Sequence, residues 1–105
     1  MNIKALRVGA RRYVVGQARR VDDKAAEVDP DAEYIVISPR LSVGAAAEYI
    51  LHESLHAMLD NAGIDIDENE VTEEMVVSAL APRLAAFLAD NESAVHELLD
   101  MLSAK

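Results

Sequence analysis

The hydrophobic pattern divides the chain into two halves, with short apolar runs first and longer helical patterns afterwards. Residues 3 to 15 form an extended run interrupted at Gly9, which predicts two short strands. The clearest strand runs from Tyr34 to Ser38, because three of its five residues are β-branched aliphatics. The polar, acidic stretch 21 to 30 lies between these runs and predicts a loop.

A long helix is predicted after the last strand. Ser42 is a suitable N-cap, and the helix should run to about Asn61, with Gly63 just beyond its end. Apolar residues at helical spacing in this stretch indicate that one face packs against a core. They are Leu51, Leu55, Met58 and Leu59.

Two further helices are predicted in the last third of the chain. The first starts between residues 67 and 72 and runs to about Asp90, with a kink or a break at Pro82. The second covers residues 93 to 102. The helix that contains Pro82 is predicted to bury a face made of Val76, Val77, Leu80, Leu84, Phe87 and Leu88.

The order of these elements predicts the fold class. Strands followed by helices indicate an α+β domain, here a small antiparallel sheet covered by two or three helices. A chain of 105 residues has room for one such domain, which we expect to span residues 1 to 105. The chain contains no cysteine, so disulfides and thiolate metal ligands are excluded.

Charge and hydropathy restrict the partners and the location. The net charge is −9, but residues 1 to 24 carry +5 and the remainder −14. The acidic remainder argues against nucleic acid as a partner, while the basic segment is either a solvated strand face or a contact for an acidic partner. The sequence has no apolar stretch of membrane-spanning length and no secretory signal at its N-terminus. We therefore expect a cytoplasmic protein, in a bacterium or a phage-infected cell.

The predicted long helix contains the pattern His52-Glu53-Ser54-Leu55-His56. Residues four apart lie on the same face of a helix, so both imidazoles can converge on one Zn²⁺ ion. Glu53 stands about 100° around the helix, where its carboxylate can take a proton from a water molecule at an open metal position. The spacing therefore predicts a zinc site with Glu53 as the general base. The alternative is an amphipathic helix whose polar residues are merely solvated.

A catalytic zinc site needs a third protein ligand. Glu73 is the preferred candidate and Glu74 the alternative, because both open the helix that follows. Glu73 aligns with the predicted apolar face, where a carboxylate without a partner would be costly. Acids in a first turn also complement the helix dipole without binding any metal. Asp60 is expected in a supporting position beside the metal or in solvent, and His96 at the surface.

The segment 51 to 58, with the two glutamates opening the next helix, resembles the small HExxH zincin metallopeptidases that use a glutamate as third ligand. More narrowly, it is similar to compact HExxH proteins of phage and bacterial genomes, near the SprT-like and ImmA/IrrE-type families. The resemblance covers roughly residues 34 to 90. It implies that His52 and His56 bind Zn²⁺, that Glu53 is the catalytic base, and that Glu73 or Glu74 completes the site.

The resemblance also implies a peptide or protein substrate. In zincins the edge strand before the motif helix aligns the substrate by strand addition, and here that strand would run from Tyr34 to Ser38. The chain departs from larger relatives at Val77 and Ser78, where an acidic residue often orients a ligand histidine. An evident donor for an oxyanion is also missing.

Two other functions are compatible with the same residues. One is a non-catalytic domain in which zinc stabilises a small fold and the acidic surface binds a regulatory or interaction partner. The other is a helical accessory protein with a fortuitous motif, which would bind no metal.

Overall fold

The computed structural model describes residues 3–18, 25–66 and 70–104. Four strands come first, β1 (Ala5–Val8), β2 (Arg11–Gln17), β3 (Ala26–Asp29) and β4 (Tyr34–Ile37). Three helices follow, α1 (Val43–Ala62), α2 (Glu73–Asp90) and α3 (Glu92–Ala104). The predicted α+β class is confirmed. Residues 19 to 24, at the end of the basic N-terminal segment, and residues 67 to 69, at the earliest predicted start of the helix that contains Pro82, lie outside the described part of the chain.

The four strands form one sheet in the order β1-β2-β4-β3. β1 and β2 are an antiparallel hairpin, and β3 pairs antiparallel with β4, but β2 and β4 run parallel to each other. The expectation of a purely antiparallel sheet was therefore wrong, and the sheet is mixed. The parallel pair arises because β4 inserts between its predecessor β3 and the earlier strand β2, so that the chain crosses over rather than forming a meander.

The position of β4 overturns a second expectation. The strand from Tyr34 to Ser38 was predicted to be an edge, yet hydrogen-bonded strands flank β4 on both sides. The edge strand on this side of the sheet is β3, which lies in a stretch where the sequence predicted a loop. The sequence of β3 is Ala-Glu-Val-Asp, in which apolar and acidic residues alternate. Acidic residues are poor strand formers, so two of them in four positions hide the strand pattern of the two apolar residues.

One face of the sheet is buried beneath the helices. Leu6 and Tyr13 face each other across β1 and β2, and Val15 lies beside Ile35 across β2 and β4; all four are buried. The covering helix α1 contributes small residues at its contact face, and this lets it lie close to its neighbours. These residues are Ala46, Ala47, Ser54 and Ala57, and each is at most 7% exposed.

The helix predictions are largely confirmed. The Ser42 side chain accepts a hydrogen bond from the Ala45 N–H, and Gly63 ends α1 in the left-handed region at φ 71°. α2 begins after its N-cap Thr72 and continues through Pro82 without a break. No helix in the described part of the chain is both long and apolar enough to cross a bilayer.

The buried face predicted for α2 is only partly right. Phe87 is buried and Leu80 packs against the core, but Val77, Leu84 and Leu88 are exposed. The apolar residues of α2 cover more of its circumference than the neighbouring elements can hide. The core therefore buries one side of the predicted apolar face of α2, and the other side is exposed to solvent.

The outer edge of β1 is covered by a side chain. Asn91, only 8% exposed, lies between α2 and α3. Its Oδ1 accepts from the Arg7 N–H at 2.7 Å, and its Nδ2 donates to the Arg7 carbonyl at 2.8 Å and to the Phe87 carbonyl at 2.9 Å. This amide replaces the missing strand neighbour at Arg7. No comparable side-chain bond covers β3 among the described residues.

Candidate metal centre

The central part of α1 carries the candidate site. His52, Glu53 and His56 share one side of the helix with Tyr49, as expected for residues spaced three, four and seven apart. The two histidines are exposed, whereas Glu53 is only 6% exposed. The described structure therefore brings together the three motif residues that the sequence singled out.

The two imidazoles converge at their outer nitrogens. The Nε2 atoms of His52 and His56 are 3.2 Å apart, and the rings meet edge to face with centroids 4.9 Å apart. Two nitrogen ligands of a tetrahedral zinc ion, each at about 2.0–2.1 Å from the metal, would lie roughly 3.3–3.4 Å apart. The separation thus fits a pair of zinc ligands. It equally allows an N–H···N hydrogen bond between two neutral imidazoles.

Glu53 occupies the boundary between the core and an open cleft. No described residue donates a hydrogen bond to its carboxylate. Every fully enclosed side-chain oxygen or nitrogen in the described part of the chain has a hydrogen-bond partner, so the Glu53 carboxylate must still reach the solvent of the cleft. A carboxylate that is mostly buried but free of local donors can accept a proton from a molecule held in that cleft.

The cleft lies between α1 and the edge strand β3 and has a volume of about 520 Å³. Tyr49, His52, Glu53 and His56 form one wall. Residues 25 to 28 form the other. A second cleft of about 680 Å³ continues past the pair, and Val28 and His56 line both. His56 therefore stands at the middle of a groove that follows β3.

The other predicted ligands do not join the pair. Among the described residues, no group of three His, Cys, Asp or Glu side chains is arranged to hold a metal ion. Glu73 and Glu74 are exposed at the start of α2, and the Glu74 carboxylate accepts a hydrogen bond from Ser78 Oγ at 3.1 Å. The expected alignment of Glu73 with a buried face is wrong, because the flank of α2 at that position is open to solvent.

The two remaining polar candidates lie away from the convergence point. Asp60 lines the second cleft with His56, and one of its carboxylate oxygens is 3.9 Å from Arg11 Nη1. His96 is exposed on α3 and lines neither cleft. The exposed position of His96 agrees with the sequence analysis, and Asp60 is exposed beside the second cleft.

The sequence analysis missed the strand wall of the cleft. Ala26 and Val28 alternate with Glu27 and Asp29, which is the pattern of a half-buried strand, but four residues are too few to identify it alone.

Comparisons with protein-family models, with curated proteins and with solved structures found no match.

Proposed function

We propose that this protein is a zinc-dependent peptidase in which His52 and His56 hold the metal and Glu53 is the general base. The observation that carries the proposal is the 3.2 Å convergence of the two Nε2 atoms beside a carboxylate that opens into the same cleft. Metal-assisted hydrolysis requires side chains that bind the metal ion and a separate general base. The exposed imidazoles of His52 and His56 suit the first requirement, and the buried carboxylate of Glu53 suits the second.

Bound zinc would supply a Lewis acid that polarises the scissile carbonyl and acidifies a water molecule. Glu53 takes the proton of the attacking water and returns it to the departing amine. Its low exposure limits competing contacts with bulk solvent. The imidazole rings are held by α1, a rigid element whose small-residue face is fixed against the core.

Glu73 is the proposed third ligand, with Glu74 as the alternative. Neither belongs to a described group of three donors with the histidines. Ligation by either residue therefore requires the first turn of α2 to approach the pair when metal binds. Further along α2, Leu80 packs against the core and Val76 is half-buried.

The edge strand β3 is the proposed docking line for a peptide substrate. The Ser38 N–H donates to the Ala25 carbonyl at 2.8 Å, so the backbone groups of Ala25 face β4. Backbone groups alternate along a strand, and those of Ala26 and Val28 therefore face outward. Ala26 and Val28 line the cleft beside His52 and His56. A substrate peptide that pairs with β3 as an added strand would therefore pass close to the two histidines.

The first test measures zinc content and hydrolysis together. Wild-type protein should retain about one zinc per chain after dialysis, and His56→Ala should lose it. His96→Ala removes a histidine outside both clefts and should leave the zinc content unchanged. Glu53→Gln should keep its zinc, while cleavage of an unfolded protein substrate falls roughly 10²–10⁴-fold.

Two outcomes would contradict this function. Absence of zinc from wild-type protein, even after reconstitution, would remove both the metal and the chemistry. Zinc that binds at His52 and His56 without any hydrolysis, or with hydrolysis unchanged by Glu53→Gln, would leave a non-catalytic zinc domain instead.

A further inference from the structure

The outer side of α2 carries an apolar surface that no other described element covers. Between residues 75 and 89 the helix contains only two polar side chains, Ser78 and Arg83. A helix that is apolar around nearly its whole circumference is typical of a buried position. The core receives only one side of α2, through Leu80 and Phe87, and the outer side is exposed to solvent.

Four residues of α2 form one continuous exposed surface along the helix, which we call the α2 outer face. They are Val77, Ala81, Leu84 and Leu88. At about 100° per residue, they lie within roughly 60° of one another. All four are exposed, and the three larger side chains have exposed fractions between 40% and 51%. The acidic residues of the helix lie beyond the ends of this face, at positions 73, 74 and 90, so the face itself is purely apolar.

The area of the α2 outer face limits the kind of contact it can make. Together with the exposed neighbour Ala85, it presents roughly 300–400 Å² of apolar surface, which is the size of the largest apolar patches on monomeric proteins. A stable dimer interface buries about 800 Å² on each partner. Two outer faces packed on each other would bury less than that, even with their polar margins. The area therefore suits a weak, reversible association.

The α2 outer face is complementary to itself when a second copy of the helix runs antiparallel. A twofold axis at the middle of the face would place Val77 opposite Leu88 of the second copy, and Ala81 opposite Leu84 of the second copy. Each contact then joins a larger side chain to a smaller one, so the two helices can interlock. The spacing of four, three and four residues is also that of a coiled-coil seam. The partner that fits this face is therefore another copy of the same chain.

We propose that this protein forms a weak homodimer through antiparallel contact between the α2 outer faces of two copies. The Kd should be on the order of 10–100 µM, because the apolar area is small and each chain carries a net charge of −9. The two copies repel each other, so added salt should tighten the dimer by screening that repulsion. The outer face lines neither cleft, and the dimer is therefore independent of the proposed zinc chemistry.

Sedimentation equilibrium of the full chain measures this association. Over a range of about 5–500 µM, the average mass should rise from that of one chain towards that of two. Leu84→Glu places a charge at the middle of the contact and should raise the Kd at least roughly 10-fold. Met75→Glu is the matched control, because Met75 is an exposed apolar residue on the opposite side of α2, and it should leave the Kd unchanged. Thermal melts verify that each variant is folded.

Single cysteines test the antiparallel orientation, since the chain has no cysteine of its own. Antiparallel packing brings residue 77 beside residue 88 of the second copy and separates the two copies of residue 77 by about 16 Å along the helix. A disulfide requires Cα atoms within about 7 Å. An equal mixture of Val77→Cys and Leu88→Cys chains should therefore form mainly mixed disulfide dimers under mild oxidation.

The dimer is overturned if wild-type protein stays monomeric at the highest concentration, if Leu84→Glu associates as wild type does, or if the disulfides mainly join like positions. A dimer that is lost in Val28→Pro but kept in Leu84→Glu would place the contact at the β3 edge instead. Absence of zinc or of hydrolysis from a protein that still dimerises would overturn the peptidase function alone, so the two proposals can fail separately.

Discussion

At the scale of single residues, α1 buries two polar side chains and satisfies them in different ways. Ser54 is fully buried and donates its hydroxyl proton to the Ile50 carbonyl at 2.7 Å, so its cost of burial is offset within the helix. Glu53, its neighbour, has no described donor and faces the cleft. A carboxylate in that position loses hydration unless a ligand compensates, which is what an incoming water or cation would do.

Asn91 is the residue whose hydrogen bonds are expected to matter most for stability. Asn91→Ala removes three bonds and leaves the N–H and C=O of Arg7 without their partner beside the core. The free energy of unfolding should fall by about 1–2 kcal/mol, because the Arg7 groups are partly buried and lose their hydrogen-bond partner. Urea denaturation of wild type and variant measures this difference.

Asn61→Ala is the matched control for that substitution. The Asn61 amide is exposed and accepts one bond, from Arg83 Nε at 3.0 Å. Its loss should lower stability by about 0.5 kcal/mol or less, as for other surface hydrogen bonds. Equal losses in the two variants would show that the amide of Asn91 has no special role at the edge of β1.

At the scale of elements, the two edges of the sheet differ. The β1 edge is covered at Arg7, while β3 presents its outward backbone groups next to the histidines. Val28→Pro removes an N–H that faces outward, which an edge strand tolerates. We expect this variant to lose about 1 kcal/mol of stability, yet to cleave peptide substrates at least roughly 10-fold less efficiently through a higher KM.

Glu27→Pro tests the orientation of the strand one residue earlier. The Glu27 N–H faces β4, so proline at this position breaks the ladder and should cost about 3 kcal/mol. Melting curves compare the two proline variants. If Val28→Pro proved the more destabilising, the outward orientation of Val28 would be wrong. Unchanged peptide cleavage by a folded Val28→Pro would exclude strand addition at this edge.

The elements differ in how far the sequence could predict them. α1 was predicted closely because Ser42 and Gly63 act locally, through a side-chain cap and a left-handed residue. The strand order was not predictable in this way, since β4 becomes internal only when β3 pairs with its far side. That pairing is a contact between elements, and no residue within Tyr34–Ile37 encodes it.

The candidate site was likewise predicted where its residues share one element and was missed where they lie on different elements. His52, Glu53 and His56 could be grouped from helical periodicity, because one element positions all three. Glu73 lies on another helix, so its distance from the pair depends on how α2 packs. The strand wall of the cleft, including Glu27, likewise depends on where β3 joins the sheet. The residues of a site can be grouped from sequence alone only when they lie on the same helix or strand.

At the scale of the whole molecule, metal binding and folding should be linked. A chain of 105 residues has a modest core, so a ligand that binds only the folded state makes a measurable difference to its stability. With free zinc at 100 times its Kd, binding adds about 2.7 kcal/mol and should raise Tm by roughly 10 °C or more. Differential scanning fluorimetry of chelator-treated protein with and without zinc measures the shift. His56→Ala should abolish it and His96→Ala should retain it, because only His56 belongs to the converging pair. An equal shift in both variants would place the metal elsewhere on the acidic surface.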